Sequence, residues 1–158
     1  MEKSLQQEFT RRISNANKSG MILIVYDIFL AYAVEIRGAY TNGEHDAFLT
    51  SVQKAQAVIL ELKDSLDFSY PIALELYRLY EFASVELAKC AYQNSTEGLD
   101  NAERVLKNLH QGFLTASKED TSKPLMQHSQ QVVAGMTYGK GVLNETLQDN
   151  EGGRGFLA

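Results

Sequence analysis

Between Glu44 and Leu66 the apolar residues Phe48, Val52, Ala55, Ile59, Leu62 and Leu66 stand 4-3-4-3-4 apart, the spacing of one buried stripe on an α-helix. The same pattern predicts three more long helices in residues 1–117. One runs from Lys18 to Tyr40, where Asn17 is placed to cap the first turn with its side-chain oxygen, and Thr41-Asn42-Gly43 turns the chain after it. Ser69 caps the next, with Pro71 in its first turn where no amide partner is lost. Its stripe is Ile72, Leu76, Leu79, Ala83, Leu87 and Cys90 or Ala91, and it ends near Asn94. Ser95 or Thr96 caps the last, with Leu99, Ala102, Leu106, Leu109, Phe113 and Ala116 inward. Short connections make sequential helices antiparallel neighbours. The expected fold is all-α: an antiparallel up-down four-helix bundle.

Outside those helices the pattern thins. Before Asn17 only Leu5, Phe9 and Ile13 are regularly spaced apolar anchors, which suits a short N-terminal helix lying on the bundle as a cap. Six of the eleven glycines and one of the two prolines fall beyond residue 117. The chain therefore divides into a domain at 1–117 and a Gly-rich tail at 118–158. In that tail Leu125, Val132, Val133 and Met136 allow a fifth amphipathic helix, and the last twenty residues show no period and are expected to be mobile.

A chain of 158 residues is long enough to bury about two-thirds of its unfolded surface and needs no staple. Its net charge of −5 lacks the basic excess that nucleic-acid binding requires. The single cysteine, Cys90, excludes an internal disulfide, and no signal-peptide pattern opens the chain. The expected location is the cytosol.

The helix from Lys18 carries an anomaly. In MILIVYDIFLAYAVEI, Met21 to Ile36, only Asp27 and Glu35 are charged, whereas a bundle helix needs one apolar stripe. A run this short with an internal carboxylate argues against stable membrane insertion. Placing Ile22, Val25, Phe29, Tyr32, Ile36 and Ala39 inward leaves Leu23, Tyr26 and Leu30 on a flank. Covering each would stabilise by about 1.5 to 3 kcal/mol, so that flank reads as a partner-binding wall waiting for a helix. The cover would come from the N-terminal segment, the tail, a second copy or another protein.

Catalytic, cofactor and metal sites are not expected. His45, His110 and His128 form no metal-ligand pair and read as surface residues. Cys90 reads as a small buried hydrophobe. Glu61, Asp64, Glu75, Glu81 and Glu86 fall on polar helix faces, and the Gly-Lys-Gly at 139–141 and Gly-Gly-Arg-Gly at 152–155 lack the context of phosphate loops. The chain does not read as an enzyme.

Four blocks carry a resemblance. Asn-Ala-Asn at 15–17 followed by MILIVYD at 21–27 resembles the Thr-Ala-Ser-Pro start and Leu-Ile-x-Met-Leu-Tyr-Asp core of the FliS family of flagellin-specific export chaperones. KAQAVILEL at 54–62 with Ser65-Leu66-Asp67, LYEF at 79–82, and LKNLHQGF at 106–113 follow in the family's order and spacing. Asn17-Lys18 stands where the family has Ser-Pro, Ile28 where it has Gly, Phe9 where it has Tyr and Phe113 where it has Trp.

The resemblance implies a cytosolic chaperone that binds the disordered C-terminal segment of flagellin in an apolar groove. It would prevent early polymerisation and help deliver the client to the flagellar export gate. It also implies that the N-terminal segment, with Leu5, Phe9 and Ile13, occupies part of the groove when the client is absent. The alternative is a non-enzymatic bundle whose Leu23, Tyr26 and Leu30 flank forms a homodimer.

Overall fold

The computed structural model describes residues 1–126. It consists of five helices: α1 (Lys3–Asn15), α2 (Lys18–Thr41), α3 (His45–Asp64), α4 (Ile72–Gln93) and α5 (Glu97–Ser117). No strand occurs among the described residues. The all-α reading holds. Of the fifth amphipathic helix expected in the tail, Leu125 lies in non-helical chain, while Val132, Val133 and Met136 fall outside the described residues.

The helix ends follow from local chemistry. Asn17 caps α2 as expected, its Oδ1 accepting the Gly20 amide at 2.8 Å. Gly43, at φ +72°, supplies the left-handed residue of the α2–α3 turn, a conformation that costs glycine little. Asn94 closes α4 at φ 50°, and asparagine tolerates this region better than most residues. Ser69 does not cap α4. Its amide and hydroxyl both donate to the Asp67 carboxylate, and Pro71 stands at the cap position. At α5 it is Ser95 rather than Thr96 whose side chain accepts an amide, that of Glu97.

α2 packs on α3, α3 on α4, α4 on α5 and α5 back on α2, with α1 laid against α2. The core between the four long helices contains Tyr26, Phe29, Ala33 and Ile36 of α2, Phe48, Val52, Ala55, Ile59 and Leu62 of α3, Tyr80, Ala83, Leu87 and Cys90 of α4, and Leu99, Ala102 and Leu106 of α5. From Phe48 to Leu62 the α3 stripe is the one the spacing defined, while Leu66, its last expected member, lies beyond the helix and is half-buried. On α4 the register differs: Tyr80 is fully buried, whereas Ile72 and Leu79 are exposed. On α5 the stripe fades, with Leu109 and Phe113 half-buried and Ala116 exposed.

α2 is long and apolar enough to cross a membrane by length and composition, contrary to the shorter run counted from sequence. Its apolar surface has another use. One side enters the main core, and the opposite side, with Ile24, Ile28 and Ala31, forms a second cluster with Phe9, Ile13 and Ala16. α1 is thus the cover that α2 requires. Leu5, expected in that contact, is 38% exposed, whereas Met1, Phe9 and Ile13 pack in the cluster.

Gly98 marks a close approach of α5 to α4. A β-carbon added there would lie 2.1 Å from the Glu86 carbonyl oxygen and 3.1 Å from the Cys90 sulfur. Beside it Glu86, which looked like a surface acid in sequence, is buried. Lys89 and the Asn101 amide, the latter at 2.8 Å, bond its carboxylate and hold it below the usual carboxylate range.

Candidate binding groove

The flank expected to form a wall is placed differently. Tyr26 is fully buried, its ring 5.8 Å from that of Phe113 and 6.3 Å from that of His110, both on α5. Leu30 packs against the same core. Leu23 lines a separate cleft between α1, α2 and the segment at Ser122 and Pro124. The three residues do not share an open surface: α5 covers Tyr26, Leu30 packs on the core, and Leu23 lies in the other cleft.

An apolar groove does exist, one side further round α2. It has a volume of about 560 Å³ and lies where the start of α2, the end of α3 and the start of α4 meet. Leu62, Ala73, Leu76 and Tyr80 form its floor, and all four are buried core residues. Its walls are Ile22 and Val25 of α2, Leu66 after α3, Ile72 of α4 and Phe113 of α5. Lys18, Glu61 and Asp67 supply charge at the rim. α2 and α4 are not neighbours in the ring of packed helices, and the space between them at this end exposes the core. Ile22 and Val25, assigned inward from sequence, are groove residues for that reason.

The floor carries a single polar feature. The Tyr26 and Tyr80 hydroxyls lie 2.6 Å apart, each the other's partner in an apolar setting. Burial raises the pKa of both phenols, so both remain neutral and one donates to the other.

Around the groove two polar clasps fix the neighbouring segments. Asp27, the only charge in the first half of the apolar run, bonds Arg12 of α1 at 2.5 Å and His110 Nε2 of α5 at 2.9 Å. A carboxylate can only accept, so Nε2 carries the proton. His110, expected at the surface, is half-buried. No spacing rule links Arg12, Asp27 and His110; the charge inside the apolar run was the sole sequence signal. The second clasp ties residues 118–126 across the α1–α2 junction. Ser19 bonds Asp120, Asn17 Nδ2 donates to the Ser122 carbonyl at 3.2 Å, and the Leu125 amide donates to the Ala16 carbonyl at 2.9 Å. Leu125 thereby reaches the groove.

Hydrogen bonds from Ser122 and Ser19 hold the Asp120 carboxyl down at about 2, from an ordinary value of 3.8. A depressed folded-state pKa stabilises the clasp fully above the ordinary value, and the effect is lost as pH falls toward the depressed one. An NMR titration of the Asp120 carboxyl carbon should show a midpoint near 2. A midpoint at the ordinary carboxylate value would show that the clasp is not formed.

Among the described residues no group of three or more His, Cys, Asp or Glu side chains is placed to hold a metal. Cys90 is buried, and burial raises its thiol pKa. Comparison with known protein families matches residues 1–120 to the family described as flagellar protein FliS. Comparison with curated proteins gives no match.

Proposed function

Since the chain belongs to the FliS family of flagellar proteins, a chaperone family, we propose that it binds the unfolded C-terminal segment of flagellin in the groove between α2, α3 and α4. The observation that supports this most is the groove's floor, made of the bundle's own core side chains. An apolar face of a helix laid there completes the packing that the gap between α2 and α4 leaves open. Ile22, Val25, Leu66, Ile72 and Leu76 are the residues we assign to client contact. We read the ring of packed helices as an antiparallel up-down four-helix bundle. The chaperone acts in the cytosol, keeps the client from polymerising early and delivers it to the flagellar export gate.

Binding of this kind is coupled folding. The client loses conformational entropy as it becomes helical, which offsets several kcal/mol of the contact energy and leaves a complex that can be released. Calorimetry and circular dichroism of the protein titrated with a C-terminal flagellin peptide should show micromolar binding with a gain of helix. The double substitution Leu66→Asp and Ile72→Asp should weaken that binding at least tenfold, about 1.4 kcal/mol, by placing carboxylates against an apolar partner. Ile72 is exposed and Leu66 is half-buried against the core, so the fold should persist with a modestly lowered melting temperature, read by circular dichroism alongside the binding. Absence of binding at tens of micromolar, or binding without helix gain, would overturn the proposal.

A homodimer through Leu23, Tyr26 and Leu30 would have to displace α5, which covers Tyr26.

A further inference from the structure

We propose that the chain beyond Met126 folds back into the same groove, with Val132, Val133 and Met136 entering it, so that the protein carries its own competitor for the site. The path of the described chain leads there. After α5, residues 118–126 do not leave the bundle. They are bonded through Asp120, Ser122 and Leu125 to Ser19, Asn17 and Ala16, and Leu125 is set among the groove's lining residues. The remaining chain thus begins at the site itself.

Reach and chemistry both fit. From Leu125 to Val132 is seven residues, which extended span about 24 Å. The groove's edge along α4, from Ile72 to Tyr80, is about 12 Å long at the helical rise. Residues 129–139, SQQVVAGMTYG, contain no charged side chain, so entry desolvates no ion. Val133 and Met136 are three apart and Val132 and Met136 four apart, the spacing that puts apolar side chains on one face of a helical turn.

Tethering selects this occupant over a second copy of the chain. A segment tethered so close to its site experiences an effective concentration of about a millimolar. Free protein at micromolar concentration competes with it at a disadvantage of roughly a thousandfold. Even weak intrinsic affinity therefore gives substantial occupancy, and a client must displace the tail. Its apparent affinity falls in proportion to the fraction of open groove. The competition with a client rests on the proposed function; the docking itself does not.

The test uses the full chain with the photoreactive residue benzoylphenylalanine in place of Ile72, an exposed groove residue. Irradiation at low micromolar concentration should yield an intrachain cross-link to residues 127–143, identified by mass spectrometry after digestion. The triple substitution Val132→Asp, Val133→Asp and Met136→Asp should abolish it. Absence of a link to the tail, or a link found only in covalent dimers, overturns the inference. In the chain with native Ile72, the same triple substitution should tighten binding of the flagellin peptide about three- to tenfold, and unchanged affinity would overturn the competition. If the peptide binds neither protein, the chaperone reading fails, and the cross-link still decides the docking.

Discussion

Gly98→Ala should destabilise the protein by about 3 kcal/mol, the upper end of the usual overpacking cost. The added carbon would meet the Glu86 carbonyl oxygen at 2.1 Å and the carbonyl carbon at 2.9 Å. A flexible side chain could swing aside, but a helical backbone cannot, so the start of α5 must lift from α4. That movement would also loosen the contacts of Leu99 and Ala102, both fully buried in the core, and strain the Glu86 to Asn101 hydrogen bond. Urea denaturation measures the change directly, and the melting temperature should fall by about 6 to 12 °C. A variant within about 0.5 kcal/mol of the parent, the range of ordinary surface substitutions, would show that the helices are not this close.

The tyrosine pair gives a prediction with a sign change. Tyr26→Phe or Tyr80→Phe alone removes one hydroxyl and leaves the other, buried beside it, without a partner. Each single substitution should cost about 1 to 3 kcal/mol, while the double substitution should be nearly neutral because no orphaned hydroxyl remains. The double-mutant cycle would then give a large coupling energy. Additive losses would show that water or another group satisfies the remaining hydroxyl. The pair also predicts alkaline sensitivity. A phenol whose pKa is raised in the folded protein contributes stability that is complete below its unfolded value of 10.0 and lost as pH rises above it. The Tyr26→Phe, Tyr80→Phe double variant should lose less stability than the parent between pH 10 and 11.

Both predictions concern features that a linear sequence hides, whereas the helices themselves were legible. The α3 stripe from Phe48 to Leu62 is periodic and its polar residues alternate cleanly, so the inward face was defined before any tertiary contact was known. The Asn17 cap could likewise be read from local chemistry. α2 was harder because apolar residues surround it almost completely, and a helix without a polar side gives no direction for its buried face. The assignment of Leu23, Tyr26 and Leu30 to an open flank failed for this reason: Tyr26 faces α5, and the side needing separate cover carries Ile24, Ile28 and Ala31. Glu86 failed in the opposite sense. A charged residue reads as exposed unless its partners are known, and Asn101 is supplied by a different helix. The groove belongs to the same class, since it arises from the separation of α2 and α4 at one end of the bundle.

The position of α1 affects how the molecule is made. Only Ala16 and Asn17 separate it from α2, so the cover for the most apolar helix is translated before the helix itself. Contacts between segments so near in sequence form with little loop-closure cost, earlier than those that await α4 and α5. During synthesis, Phe9 and Ile13 are therefore available to shield Ile24 and Ile28 while the main-core face of α2 still lacks its other partners. The order of elements along the chain shortens the period in which a nascent polypeptide displays its most aggregation-prone surface.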